Sequence, residues 1–160
     1  MNWVNADPAD LDDVRELFRE YQAELGIDLC FQGFEHELPG LPKPYDEPSG
    51  ALLLVKISNR PVACGALKPL KPGGVELKRI YVRPEFRKMG LGREICCQLI
   101  EKAKQLGYTD AFLDTLDTLT TAIRLYESLG FVPTEPYNDS GGNRVKYFRL
   151  PLAASLEEIE

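Results

Sequence analysis

The stretch Val75-Glu-Leu-Lys-Arg-Ile-Tyr-Val-Arg-Pro-Glu-Phe-Arg-Lys-Met-Gly-Leu-Gly-Arg93 decides how this chain is read. From Val75 to Val82 it mixes β-branched, aromatic and aliphatic residues, as a buried strand does. Pro84 ends that strand because it has no N–H to give a ladder. After Gly90 the apolar positions change period. Leu91, Ile95, Leu99 and Ala103 fall four apart with Cys96 and Ile100 beside them, which is one face of a helix. Gly107 stops it. The stretch therefore predicts strand, glycine turn, helix.

A helix mouth of this kind has chemistry of its own. Its first amides have no partner within the helix, and the helix dipole adds partial positive charge there. Gly90 and Gly92 carry no side chain to hold an anion away from the main chain. Arg87, Lys88 and Arg93 add full charges. A phosphate or diphosphate suits such a place; a glycine-containing loop with solvated basic residues is the plainer alternative. Two known phosphate motifs are excluded. No Gly-x-x-x-x-Gly-Lys-Ser/Thr run exists, and Gly90-x-Gly92 continues to Ile95 where a dinucleotide fingerprint needs glycine.

Charge points the same way. The 160 residues carry a formal net charge of −6, which argues against general nucleic-acid or membrane-surface binding. Yet six of the nineteen basic residues (Lys78, Arg79, Arg83, Arg87, Lys88, Arg93) fall within sixteen positions, against one acid, Glu85. An acidic chain that gathers cations at a glycine-rich helix start is suited to a small anionic ligand; a solvated face of mixed charge is the alternative.

A chain of this length buries about 70% of its unfolded surface, enough for one core without staples. The reading is a single domain over residues 1–152 with a short acidic tail, 153–160, expected to fray. No run reaches membrane-span length and no signal peptide is visible. Cys30, Cys64, Cys96 and Cys97 show no C-x-x-C spacing, and His36 is the only histidine. A zinc site is not expected, and reduced thiols in a cytoplasmic protein are the plain reading.

Along the chain, Trp3-Val4 reads as a short strand. Asp7-Pro8 opens a helix with the apolar stripe Leu11, Val14, Phe18, Tyr21, Leu25, ended by Gly26. Leu29 to Gly50, with four prolines, reads as a brief helix around Phe31 to Leu38 and then a loop; a structural role is expected for His36. Ala51–Ile57, Val62–Leu67 and Val75–Val82 form an antiparallel meander, with Gly65 marking a bulge or a close backbone approach. Ala111–Asp114 follows the long helix and should lie parallel to the strand before it. Asp117 or Thr118 could cap the next helix, which runs to Leu129. Strands follow at Phe131-Val132 and, after Gly141-Gly142-Asn143, at Arg144–Leu150. The fold class is α/β, with a mixed, mostly antiparallel sheet flanked by helices.

Arg87-x-x-Gly90-x-Gly92, between a strand and a helix, resembles the acetyl-CoA signature of the GNAT superfamily of N-acetyltransferases. Ala122-Ile-Arg-Leu-Tyr-Glu-Ser-Leu-Gly-Phe131 resembles that superfamily's second signature, a tyrosine-bearing helix followed by a strand. The two occur in the family's order. The resemblance implies a GNAT-like fold whose sheet splits at the acetyl-CoA crossover. It implies transfer of the acetyl group of acetyl-CoA to a primary amine by direct attack, without a metal. Arg87, Lys88, Met89, Gly90, Leu91, Gly92 and Arg93 would hold the diphosphate, and the backbone of Ile80, Tyr81 and Val82 the pantetheine arm. A backbone amide there could also serve the oxyanion.

The resemblance also implies two catalytic residues. Glu76, eleven positions before Arg87, takes the place of the base glutamate of several members; its alternative is a strand-end carboxylate paired with a neighbouring cation. Asp114 is a second candidate base. Tyr126 matches the signature tyrosine and would protonate the leaving thiolate, unless it is simply core beside Ile123 and Leu129. One departure stands out: Leu119 occupies a position where many relatives carry asparagine, which leaves any polar contact there to Thr118 or Thr120. The acceptor would be a small-molecule or peptide amine, and two copies could pair through the last strands. The rival from another class is a non-catalytic acyl-CoA-binding or regulatory module.

Overall fold

The computed structural model describes residues 1–25, 34–138 and 144–152. Its organising feature is a parallel pair. β4 (Gly74–Val82) and β5 (Asp110–Leu116) are joined by α3 (Leu91–Gln105), as the strand–turn–helix stretch predicts. Their pairing is short: Gly74↔Asp110, Val75↔Ala111 and Glu76↔Phe112. Beyond Glu76 the strands part, although β4 continues six residues further, to Val82.

Around this pair the sheet is antiparallel. β1 (Asn2–Asn5), β2 (Ala51–Ile57) and β3 (Arg60–Lys71) lie on the β4 side, while β7 (Val145–Pro151) and β6 (Val132–Pro133) lie on the β5 side. The order is β1-β2-β3-β4-β5-β7-β6. The expected meander is β2-β3-β4.

Alternation along the strands divides the core into two layers. Leu53, Val55, Ala63, Leu67, Val75, Leu77, Ala111 and Leu113 face α3, meeting its stripe of Leu91, Ile95, Leu99 and Ala103. Leu52, Leu54, Cys64, Ala66 and Tyr81 face the other way, onto Val14, Leu17 and Phe18 of α1 (Leu11–Leu25). Fully burying each large aliphatic side chain here is worth about 1.5–3 kcal/mol. Both layers cover β2, so it reads as an unbroken apolar run.

α1 is entered as expected. The Asp7 carboxylate accepts from the Ala9 amide at 2.9 Å with Pro8 following, though Pro8–Asp10 is a 3-10 turn before the α-helix proper. α2 (Phe34–Gly40) lies within the stretch where a brief helix is expected around Phe31 to Leu38, and 26–33 lie outside the described residues. So do the Gly26 stop, the Gly141-Gly142-Asn143 turn and the tail from 153. α4 (Thr120–Ser128) corrects one expectation: neither Asp117 nor Thr118 caps it, because Leu119 holds the N-cap position without a side-chain bond. No helix among the described residues is long and apolar enough to cross a membrane.

Gly65 marks both features expected of it. A Cβ there would stand 2.6 Å from Ile95 Cγ2 and 3.0 Å from Leu99 Cδ1, so glycine lets α3 lie close on the sheet. Opposite it the β3–β4 register slips: Cys64 pairs Tyr81 but Ala66 pairs Lys78, which leaves an extra residue on β4. Arg79 sits in this bulge with φ 59°, a left-handed conformation uncommon for arginine.

Candidate active site

Where β4 and β5 part, a cleft of about 800 Å³ opens. One wall is β4 from Leu77 to Val82, the other β5 from Leu113 to Leu116. The start of α3, the first turns of α4 and Tyr21 and Leu25 of α1 complete it. The sequence stretch that predicted strand, turn and helix thus supplies one side of the cleft.

At the mouth, Gly90 takes φ 80° as the N-cap of α3, with no side-chain cap. The first bond within the helix runs from the Glu94 amide to the Gly90 carbonyl. The amides of Leu91, Gly92 and Arg93 therefore have no acceptor inside the helix. A Cβ on Gly92 would meet only Leu125 Cδ2, at 3.8 Å, so packing does not demand a glycine there.

Of the residues expected to hold the cofactor, Ile80, Tyr81, Val82, Arg87, Lys88, Gly90, Leu91, Gly92 and Arg93 line the cleft. Met89 does not; its side chain is exposed. On its β5 side the backbone of Ile80 to Val82 has no strand partner among the described residues.

The gathered arginines are not simply aimed at a ligand. α1 carries Glu16, Glu20 and Glu24 four residues apart, on one helix face. Arg83 bonds Glu16 and Glu20, with 2.7 Å from Nη2 to Glu20 Oε2 and 2.7 Å from Nη1 to the Pro61 carbonyl. Arg87 bonds Glu24 at 2.7 and 2.8 Å. Arg79 is buried and bonds Glu37 of α2 bidentately, at 2.9 and 3.0 Å. Tyr45 adds its hydroxyl to the same carboxylate at 2.8 Å. Three of the six basic residues thus fasten β4 and its loop to α1 and α2. A carboxylate row at helical spacing was visible in the sequence; its partners, more than sixty positions away, were not.

Glu76 is 2% exposed and lies behind the cleft wall rather than on it. Tyr137 donates its hydroxyl to Glu76 Oε2 at 2.8 Å, and Lys78 Nζ stands 3.8 Å from the same oxygen. Burial pushes the carboxyl pKa of Glu76 up; Lys78 opposes this, the nearby Asp114 charge adds to it, and the Tyr137 bond opposes it again. Tyr137 packs edge-on against Phe112 and Tyr147, which holds it over Glu76. Asp114 does line the cleft and takes a bond from Asn138 Nδ2 at 3.1 Å. The sequence reading missed Tyr137 and Asn138, which sit in a segment without periodicity.

Tyr126 lines the cleft, with its ring edge-on to Phe131. Its hydroxyl has no hydrogen-bond partner among the described residues. Burial drives its pKa well above the ordinary phenol value. Burial also pushes the Cys64 and Cys96 thiols up to about 12, which leaves them inert.

Residues 11–131 match the acetyltransferase (GNAT) family. An uncharacterized N-acetyltransferase of Schizosaccharomyces pombe is 42% identical over 148 residues, covering 91% of each chain. Among solved structures, a GNAT-family acetyltransferase from Staphylococcus aureus superposes with a TM-score of 0.79 at 18% identity, covering 94% of this chain and 98% of that one. A Salmonella typhimurium protein solved with its cofactor acetyl-CoA superposes with a TM-score of 0.69 at 22% identity, covering 95% and 94%. The glycine mouth, the parted strands and these likenesses agree: the chain belongs to the GNAT family of N-acetyltransferases.

Proposed function

We propose that the protein transfers the acetyl group of acetyl-CoA to a primary amine by direct attack. One observation carries the reading: a single cleft joins the glycine mouth of α3, with its unpartnered amides and three flanking cations, to a polar wall bearing Asp114. The residues present fit acetyl-CoA. The amides of Leu91, Gly92 and Arg93, with Arg87, Lys88 and Arg93 side chains, suit its diphosphate. The β4 backbone from Ile80 to Val82 suits its pantetheine amides. Acetyltransferase names among the relatives favour an enzyme over a binding module.

The acceptor must lose a proton before its nitrogen can attack. For a lysine-like amine at pH 7 that costs roughly 4–5 kcal/mol. Asp114 is on the cleft wall and can accept that proton directly; Glu76, buried behind Lys78 and Tyr137, is the second acceptor, reached through water. Burial raises its pKa, which strengthens it as a base. The nitrogen lone pair forms the new C–N bond, the C–S bond breaks with its electron pair going to sulfur, and the nitrogen's second proton leaves to solvent water.

Tyr126 then stabilises the departing sulfur. Burial favours the neutral form of the Tyr126 phenol. Tyr126 therefore acts as a hydrogen-bond donor that stays neutral, and the thiolate takes its proton from solvent. Thiol release from acetyl-CoA in the presence of an amine panel tests the function. Amine-dependent release supports it, and a protein that binds acetyl-CoA but releases no thiol with any amine refutes it.

A further inference from the structure

The polar wall of the cleft narrows the acceptor, granting the transferase reading above. Just past Glu76↔Phe112, the last paired residues of β4 and β5, the next positions on the same sheet face are Lys78 and Asp114. Both line the cleft. Paired strands lie about 4.8 Å apart, and here they are parting, so a cation and a carboxylate flank a gap.

The two cations on this wall differ. Arg79 is matched by Glu37 in a close bidentate pair. Lys78 has a looser tie, 3.8 Å from Nζ to Glu76 Oε2, with its side chain only 10% exposed. A simple ammonium reaching Asp114 would meet the like charge of Lys78, largely withdrawn from solvent, which disfavours it. A substrate that brings its own carboxylate answers Lys78 and leaves Asp114 for the amine.

We propose that the acceptor is a free amino acid, held with its carboxylate on Lys78 and its ammonium on Asp114. The arrangement discriminates by charge, since an amide or a decarboxylated amine leaves Lys78 with only its loose tie to Glu76.

Matched sets test this: phenylalanine, phenylalaninamide and phenethylamine, and the same three forms built on leucine and on glutamate. Each is run with saturating acetyl-CoA and read by thiol release. In at least one set the amino acid should exceed its amide in kcat/KM by about tenfold or more, the worth of a charged contact. Lys78→Gln should shrink that ratio about tenfold, chiefly through KM for the amino acid, and Lys78→Arg should restore most of it. Amides or amines matching the amino acid in every set would overturn the proposal. So would Lys78→Gln lowering all three forms equally, or turnover confined to peptide N-termini added to the panel. Calorimetry separates the two levels. Acetyl-CoA binding with amine turnover but no preference for the carboxylate sinks the amino-acid acceptor alone, whereas no acetyl-CoA binding sinks the transferase reading and this inference with it.

Discussion

Arg87 reaches across the mouth of the cleft to Glu24, Nη2 meeting the two carboxylate oxygens at 2.7 and 2.8 Å while Nε donates to the Val82 carbonyl at 2.8 Å. The pair joins the loop before α3 to α1, whose Tyr21 and Leu25 line the same cleft. Both side chains are part-exposed, at 41% and 47%, so the pair adds only about 0–1 kcal/mol to folding. Its value lies in aiming the guanidinium. Arg87→Gln should therefore weaken acetyl-CoA binding roughly ten- to hundredfold, the worth of a hydrogen bond to a charged group. The melting temperature should barely move. A large drop in melting temperature with unchanged cofactor affinity would assign Arg87 to structure instead.

Glu76 separates a chemical role from a structural one through pH. The native state holds its proton more tightly than the unfolded chain, because burial raises its pKa from an ordinary value near 4.5. Stability from this group is complete below the unfolded value and is lost as pH rises through the folded one. Glu76→Gln removes that loss. The variant should melt higher than wild type at pH 8, with the gain fading toward pH 4, yet turn over more slowly. Lower stability at pH 8 would show that the ionised carboxylate holds the fold together.

Tyr137 donates to the Glu76 carboxylate and so favours its ionised form. Tyr137→Phe removes that help, and the Glu76 pKa rises further. If Glu76 takes up the acceptor's proton, the acid limb of the kcat/KM profile moves to higher pH in the variant. A profile that only drops in height, with its limbs in place, would leave Tyr137 as a packing residue between Phe112 and Tyr147.

Much of this architecture could be read from residue patterns, and the exceptions share a cause. The step from alternating strand to four-residue helical spacing at Gly90 fixes β4, α3 and the parallel return to β5, because period is local. Gly65 announced a close approach because nothing but a missing Cβ lets Ile95 sit there. The arginines were misleading for the opposite reason. Arg79 and Arg83 look like ligand-seeking charge until α1 and α2 bring Glu37, Glu16 and Glu20 against them. Tyr137 was invisible because a tyrosine in an aperiodic segment has no local signal for what it will touch.

Tyr126 carries a hydroxyl with no partner among the described residues, inside the cleft. Removing it breaks no bond within the fold. Tyr126→Phe should keep acetyl-CoA affinity and melting temperature while kcat falls about ten- to hundredfold, as loss of a hydrogen bond to developing charge does. An unchanged kcat would return Tyr126 to the core alongside Phe131.

Gly65, beneath α3, and Gly92, within it, make a contrasting pair. Gly65→Ala drives a Cβ to 2.6 Å from Ile95 Cγ2 and should cost about 1–3 kcal/mol of stability. Gly92→Ala meets no atom closer than 3.8 Å and replaces glycine within a helix, so stability should hold or rise by about 0.5–1 kcal/mol. Calorimetric titration of acetyl-CoA into wild type and Gly92→Ala is therefore the decisive measurement. Binding at the helix mouth predicts saturable heat from wild type and an affinity lower by about tenfold or more in the variant, because the new methyl stands where a phosphate must reach the amides. No heat from wild type, or equal affinity in the two proteins, would contradict it.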